Sequence, residues 1–240
     1  MNQIYTHFRE RKGIAITGLF IAFLLPMLLT AILIGLSHII NLEIFKAEFG
    51  PQIAYTIANF AVLIIVVALL RKLGIQLKTL GFNFRITSKN ILLALGFFVA
   101  GVLLFLLLDY IFAQLGMSMK IMEYHITGFS DVVILLIYAM IAAPLCEETF
   151  FRVYGITCLQ GLTNRTWLAV LVSLIGFGLI HLPSFGLRGF IEIGLIWGIL
   201  PSTLYLWKKN IYLCFMMHSL NNLFFYIIVP LYIPRLSLAS

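Results

Sequence analysis

Charge is what this sequence has least of. Only 10% of its 240 residues are Asp, Glu, Lys or Arg, and 62% are hydrophobic. Soluble domains carry about 25% charged residues, and a water-soluble core cannot hide this much apolar sequence. With a mean hydropathy of +1.07, the chain reads as a polytopic α-helical membrane protein. The alternation that marks β-barrel strands is missing, because the apolar residues come in long continuous runs. Cysteine is scarce as well. Cys146, Cys158 and Cys214 all lie in apolar segments, so they imply small buried side chains rather than a disulfide framework. Acids are fewer than bases, and the formal charge is +7. The basic residues fall in short loops between apolar runs, the pattern of orientation signals and not of a nucleic-acid stripe. No nucleic-acid partner is expected. There is no internal repeat and no separate soluble domain.

What is present is a series of long apolar runs. Met1–Lys12 is short and charged. Ile14–Ile40 is too long for the apolar core of a signal peptide and reads as a retained helix, kinked or interrupted near Pro26. A polar loop with a Gly50-Pro51 break leads to a second span, Ile53–Leu70. In the polar connection Arg71–Asn90, the stretch Leu73–Phe82 is mildly amphipathic and is expected on the membrane surface. Ile91–Leu115 is a third span, with Asp109 near its far end beside Tyr110. A second polar loop, Gly116–Ser130, contains His125. A fourth helix runs from near Asp131 to about Gln160. The fifth, Trp167–His181, is stopped at Leu182-Pro183. The sixth, Phe190–Trp207, carries Glu192 and Pro201, and the seventh is Ile211–Val229. The expected fold is an all-α transmembrane bundle of about seven spans, or eight if a span is split. Residues 1–130 act as scaffold and 131–229 as catalytic helices of one membrane domain.

The basic residues orient this series. With the N-terminus cytoplasmic, one side holds Arg9, Arg11, Lys12, Arg71, Lys72, Lys78, Arg85, Lys89, Arg165, Lys208 and Lys209, with Arg152 near that surface. The other holds Lys46, Lys120, Arg188 and Arg235. The excess places the N-terminus inside.

Three stretches resist a packing explanation. Pro144-Leu-Cys-Glu-Glu-Thr-Phe-Phe-Arg152 sets two carboxylates and an arginine inside an apolar segment, and ionisable groups at membrane depth are functional by default. Phe177-Gly-Leu-Ile-His181 and His218-Ser-Leu-Asn-Asn222 are its expected partners. Glu148 and Arg152 are four apart and can pair on one helix face. Glu147 is turned roughly 100° away, so the two carboxylates meet different surroundings. Glu147 precedes the turn at Thr163 by 16 residues, and His181 follows it by 18. Both therefore sit roughly 24–27 Å from that turn on antiparallel neighbours and can be level. His218 lies about 12 Å along its own helix, with Asn222 one turn further on. Part of the hairpin must then protrude or tilt. Glu147, the two histidines and Asn222 converge on a polar cavity near mid-depth, open to the cytoplasmic side. A carboxylate there can act as a base toward water, a histidine can share that water's proton, and a second histidine with an amide can hold an oxyanion. These are the parts needed to hydrolyse a peptide bond without a covalent intermediate.

At these residues the sequence resembles the CAAX protease and bacteriocin-processing family, also called the Abi family of intramembrane proteases, including CAAX prenyl endopeptidases of the Ras-converting type. The motifs E-E-x-x-x-R, F-x-x-x-H and H-x-x-x-N appear in order as Glu147-Glu148-Thr-Phe-Phe-Arg152, Phe177-Gly-Leu-Ile-His181 and His218-Ser-Leu-Asn-Asn222. The resemblance covers about Asp131 to Val229, and the earlier spans match only as generic membrane helices. It implies Glu147 as the general base, acting with His181. His218 and Asn222 would form the oxyanion site, with Glu148 and Arg152 in support and Phe177 packing the helix of His181. The substrate implied is a lipidated CAAX-type protein or a membrane-bound leader or bacteriocin peptide. The compact length suits the bacterial branch and its cell membrane.

Blander readings stand beside these. Glu147 and Glu148 could snorkel from a helix end, His181 could cap one, and His218 and Asn222 could be interhelical glue. Asn221 shows that asparagine here need not be catalytic. Glu192 is expected to pair with Arg188, Asp109 to lie at the outer interface, and His38 and His125 to be interface and loop residues. Cys146 beside Glu147 is ordinarily an inert thiol. Two histidines and a carboxylate are a legitimate zinc set, but no H-E-x-x-H is present. Metal-free hydrolysis without a cofactor is the expectation, and a zinc-dependent form is its rival. A non-enzymatic bacteriocin-immunity or scaffold protein is the second reading. A proton-coupled transporter is the third, against which stands the absence of paired broken helices.

Overall fold

The computed structural model describes residues 2–82, 87–117, 126 and 128–228, all helix or connection with no strand among them. Arg85, Lys120, His125 and Arg235 lie outside the described residues. Helices are numbered here as α1 Asn2–Glu10, α2 Lys12–Ile40, α3 Glu43–Lys46, α4 Gly50–Lys72, α5 Ser88–Gln114, α6 Phe129–Thr163, α7 Thr166–Lys208 and α8 Ile211–Ile228. Six of them (α2 and α4 to α8) are long and apolar enough to cross a membrane. The chain is an all-α polytopic membrane bundle.

α7 is one helical run only by name. Gly186 has φ +71° and ψ −171°, a combination essentially confined to glycine. The two legs, residues 166–185 and 187–208, fold back on each other. A Cβ on Gly178 would meet the Phe190 ring at 2.9 Å, and one on Gly198 would meet Leu174 at 2.3 Å. The fifth and sixth helices expected from the sequence are these legs. Their boundary is Gly186, not Leu182-Pro183, because the helix continues through Pro183 until the one residue whose backbone can reverse it. α2 likewise runs unbroken through Pro26; transmembrane helices tolerate proline.

Small residues set the packing, as they do where lipid removes the hydrophobic drive between helices. α2 buries Ala15, Gly18, Ala22 and Pro26, one stripe at helical spacing. Phe20, Leu24, Leu28 and Ile32 on its other side are exposed, as lipid-facing residues would be. Phe23 inserts between Gly155 of α6 and Gly176 of α7, which leave room for its ring 2.8 and 3.0 Å from where a Cβ would be. Tyr154 uses the missing side chain of Gly18 to reach the Ala15 carbonyl at 3.2 Å.

One end of the bundle is interlocked. α1, which reads in sequence as a short charged stretch, is a helix that buries Phe8. Arg9 donates to the Gly161 carbonyl at 2.7 Å and to Asn164 at 3.1 Å. The stretch 73–82 does not lie free on a membrane surface. Leu73, Ile75 and Leu80 are buried, the Tyr205 hydroxyl donates to the Leu80 carbonyl at 3.0 Å, and the Ile211 N–H donates to the Gly81 carbonyl at 3.2 Å. Its amphipathicity serves protein contact, which sequence cannot tell from lipid contact. At the other end, Arg188 donates to Glu192 at 2.8 Å, to the Met117 carbonyl at 2.6 Å and to the Asp109 carboxylate. The Arg188–Glu192 pair is the one expected; Asp109 is bound into it beyond the expected interface position.

Candidate active site

Two prolines shape the ground on which the site is built. Pro144 has no N–H, so the carbonyls four and five residues back, Met140 and Ala139, lose a helical donor. The helix is π-wound over Ile137–Ala142 just before it. Ser219 of α8 donates to the Met140 carbonyl at 2.7 Å, and Asn222 donates to the Ala139 carbonyl at 2.9 Å. In the second leg of α7, Pro201 leaves the Trp197 carbonyl in the same position, again after a π-wound stretch, Ile193–Trp197. Arg152 of α6 donates to that carbonyl at 2.5 Å. The helix defects thus supply acceptors, and the motif residues take them.

From these anchors the charged groups can be followed inward. Glu148 and Arg152 lie in a further π-wound stretch, Glu148–Ile156. They form the pair their spacing predicts, at 3.3 Å, with side chains 0% and 1% exposed. Arg152 is therefore not exposed at the protein surface. It is enclosed in the protein, its guanidinium 4.1 Å above the Phe177 ring. Glu148 also accepts from His218 Nδ1 at 2.8 Å, which fixes that ring through α6. Phe177 packs edge-on to His218 at 6.0 Å and against His181 at 4.8 Å, so it supports both histidines as well as its own helix.

Glu147 is buried at the centre. The Tyr55 hydroxyl of α4 donates to its Oε1 at 2.9 Å. Its Oε2 has no hydrogen-bond partner. His181 Nε2 stands 4.0 Å from Oε2 and His218 Nε2 stands 3.9 Å from it. His181 Nδ1 is 2.8 Å from the Phe177 carbonyl, an acceptor, so Nδ1 carries the proton. In the neutral ring Nε2 then offers a lone pair, and the same holds for His218 through Glu148. Three acceptor positions therefore face one spot that no protein donor fills. Distances near 4 Å are too long for direct bonds and right for a bridging water. Among the described residues, no group of three or more His, Cys, Asp or Glu is arranged to hold a metal ion.

Of the sequence-predicted site residues, Glu147, Glu148, Arg152, Phe177, His181 and His218 are joined by direct contacts, whereas Asn222, one turn beyond His218, is turned to other partners. Its Nδ2 is committed to Ala139 and its Oδ1 accepts from Asn221 at 3.3 Å, so at most its second amide hydrogen is free. Cys146 is buried. Sequence reasoning missed Tyr55, since a tyrosine in an apolar span carries no signal of its own. It also missed the carbonyls behind Pro144 and Pro201, which counting four residues back from each proline would have found.

Residues 129–224 match the family described as Rce1-like, type II CAAX prenyl endopeptidase. This segment belongs to that family. No curated protein and no solved structure matches the chain. The CAAX endopeptidase segment runs from the start of α6 into α8, and within it lie all of the motif residues, from Glu147 to Asn222. The chain is thus an integral membrane protein with a membrane protease segment, and Tyr55 reaches that segment from outside it.

Proposed function

We propose that this chain is an intramembrane endopeptidase in which Glu147 and His181 activate a water. The observation that carries the reading is the convergence of Glu147 Oε2, His181 Nε2 and His218 Nε2 on one donorless spot. A water there gives one proton to Glu147 as its oxygen attacks the scissile carbonyl carbon. The carbonyl oxygen becomes an oxyanion. His218, when it carries a proton on Nε2 as well as the Nδ1 proton held by Glu148, donates to that oxyanion, and the second amide hydrogen of Asn222 assists. The C–N bond then breaks, and Glu147 returns the proton to the leaving nitrogen. Glu148 and Arg152 hold His218 in place and Phe177 seats both rings. The substrate proposed is a membrane-associated peptide, either a prenylated CAAX-type C-terminus or a leader peptide, approached from the cytoplasmic side of a bacterial membrane. The reaction is proposed to be metal-independent.

The test is cleavage of quenched fluorescent peptides, half of them farnesylated, by purified wild type and Glu147→Gln, with and without a zinc chelator. Chelator-insensitive cleavage lost in the variant is the expected result. Chelator-sensitive cleavage would replace the mechanism with a zinc-dependent one. If both proteins are inert on every peptide yet both confer bacteriocin immunity in cells, the chain is a non-enzymatic immunity or scaffold protein.

A further inference from the structure

We propose that Tyr55 is a positioning residue for Glu147, contributed by α4 from outside the family-matched segment. The inference rests on the reading of Glu147 as the base. A glutamate carboxylate at the end of a flexible side chain has a broad terminal torsion, so a bond to one oxygen fixes the direction in which the other points. The Tyr55 hydroxyl pins Oε1 at 2.9 Å. That leaves Oε2 turned toward His181 and His218, at 4.0 and 3.9 Å. The Tyr55 ring is itself braced edge-on by Tyr138 at 5.7 Å.

One turn further along α4, Asn59 is fully buried. Its Nδ2 donates to the Tyr55 carbonyl at 2.8 Å, while its Oδ1 has no partner. Tyr55, Asn59 and Glu147 line one cavity, walled by Phe23, Pro26 and Phe151, with about 10 Å³ open to a water centre. That is close to the least space that holds one water. The polar face of α4 therefore brings Glu147 a donor on one oxygen and a place for a water beside it.

Tyr55→Phe keeps the ring and removes only the donor. On a farnesylated quenched peptide its kcat should fall roughly 10- to 100-fold, the usual weight of one hydrogen bond to a charged group, with KM within about twofold of wild type. A second measurement does not need turnover. In protein labelled with 13Cζ-tyrosine, the Tyr55 resonance, assigned by its loss in Tyr55→Phe, should move in Glu147→Gln and stay in the remote Glu192→Gln. A Tyr55→Phe variant with wild-type kcat, or a Tyr55 resonance that ignores Glu147→Gln, overturns the proposal. If Glu147→Gln is inactive while Tyr55→Phe is fully active, Tyr55 alone is dismissed. If Glu147→Gln is itself fully active, the base falls and the positioning role with it.

Discussion

Neighbouring carboxylates with opposite duties should respond oppositely to the same substitution. Glu147 has one oxygen without a partner and one bond to a neutral hydroxyl, so Glu147→Gln should abolish turnover and leave unfolding little changed. Glu148 is enclosed with Arg152 and His218. Removing its charge leaves a buried guanidinium uncompensated, which costs about 3–5 kcal/mol. Glu148→Gln should therefore lower the thermal unfolding midpoint in detergent markedly, and the measurement separates the two residues even where both variants are inactive. Equal midpoints would sink the division of labour. Much of this was legible in the sequence. The i,i+4 spacing gave the Glu148–Arg152 pair, and counting residues from the turn put Glu147 and His181 level. Tyr55 was not legible, because its meaning comes only from which helix α4 packs against.

Helices carry the site by their irregularities. The reversal at Gly186 places His181 just before a turn and Arg188 just after it, where Arg188 ties α7 to the end of α5. An alanine there has open space for its Cβ, so any loss is due to backbone alone. Gly186→Ala should destabilise by about 1–3 kcal/mol, whereas Gly35→Ala, in a regular part of α2 with equally open space, should be neutral or stabilising. Chemical unfolding of the two variants side by side checks the difference, and a silent Gly186→Ala would refute the glycine-only turn. Sequence placed a boundary nearby but at the wrong residue. Proline looks like the stronger breaker on paper, yet only a positive φ turns the chain back.

Across the molecule, the turns and helices that carry Arg9, Arg165, Lys208 and Lys209 gather at one end, since α1 is bound to the α6–α7 turn and the 73–82 stretch to the α7–α8 turn. If that end is cytoplasmic, Lys78→Cys should react with a membrane-impermeant maleimide only from inside, and Ala47→Cys, at the opposite end, only from outside. The native cysteines are all buried, so background labelling should be low. Reversed labelling would invert the orientation proposed. The expected protrusion of the α6–α7 hairpin also has a physical form. Glu147 lies roughly 24 Å from its turn and His218 about 10–12 Å from its own, yet the two side chains meet at 3.9 Å. The α6–α7 turn therefore projects by about 12 Å beyond the α7–α8 turn, and α1 lies against the projecting part.

The two prolines have a practical corollary for anyone engineering this protein. Conventional helix improvement would replace Pro144 and Pro201 with alanine, gaining propensity and a backbone bond at each. Here that gain would be spent against the fold. A restored N–H at residue 201 would compete with Arg152 for the Trp197 carbonyl, and one at residue 144 would compete with Ser219 for Met140. The sequence that makes the straighter helix makes the looser enzyme.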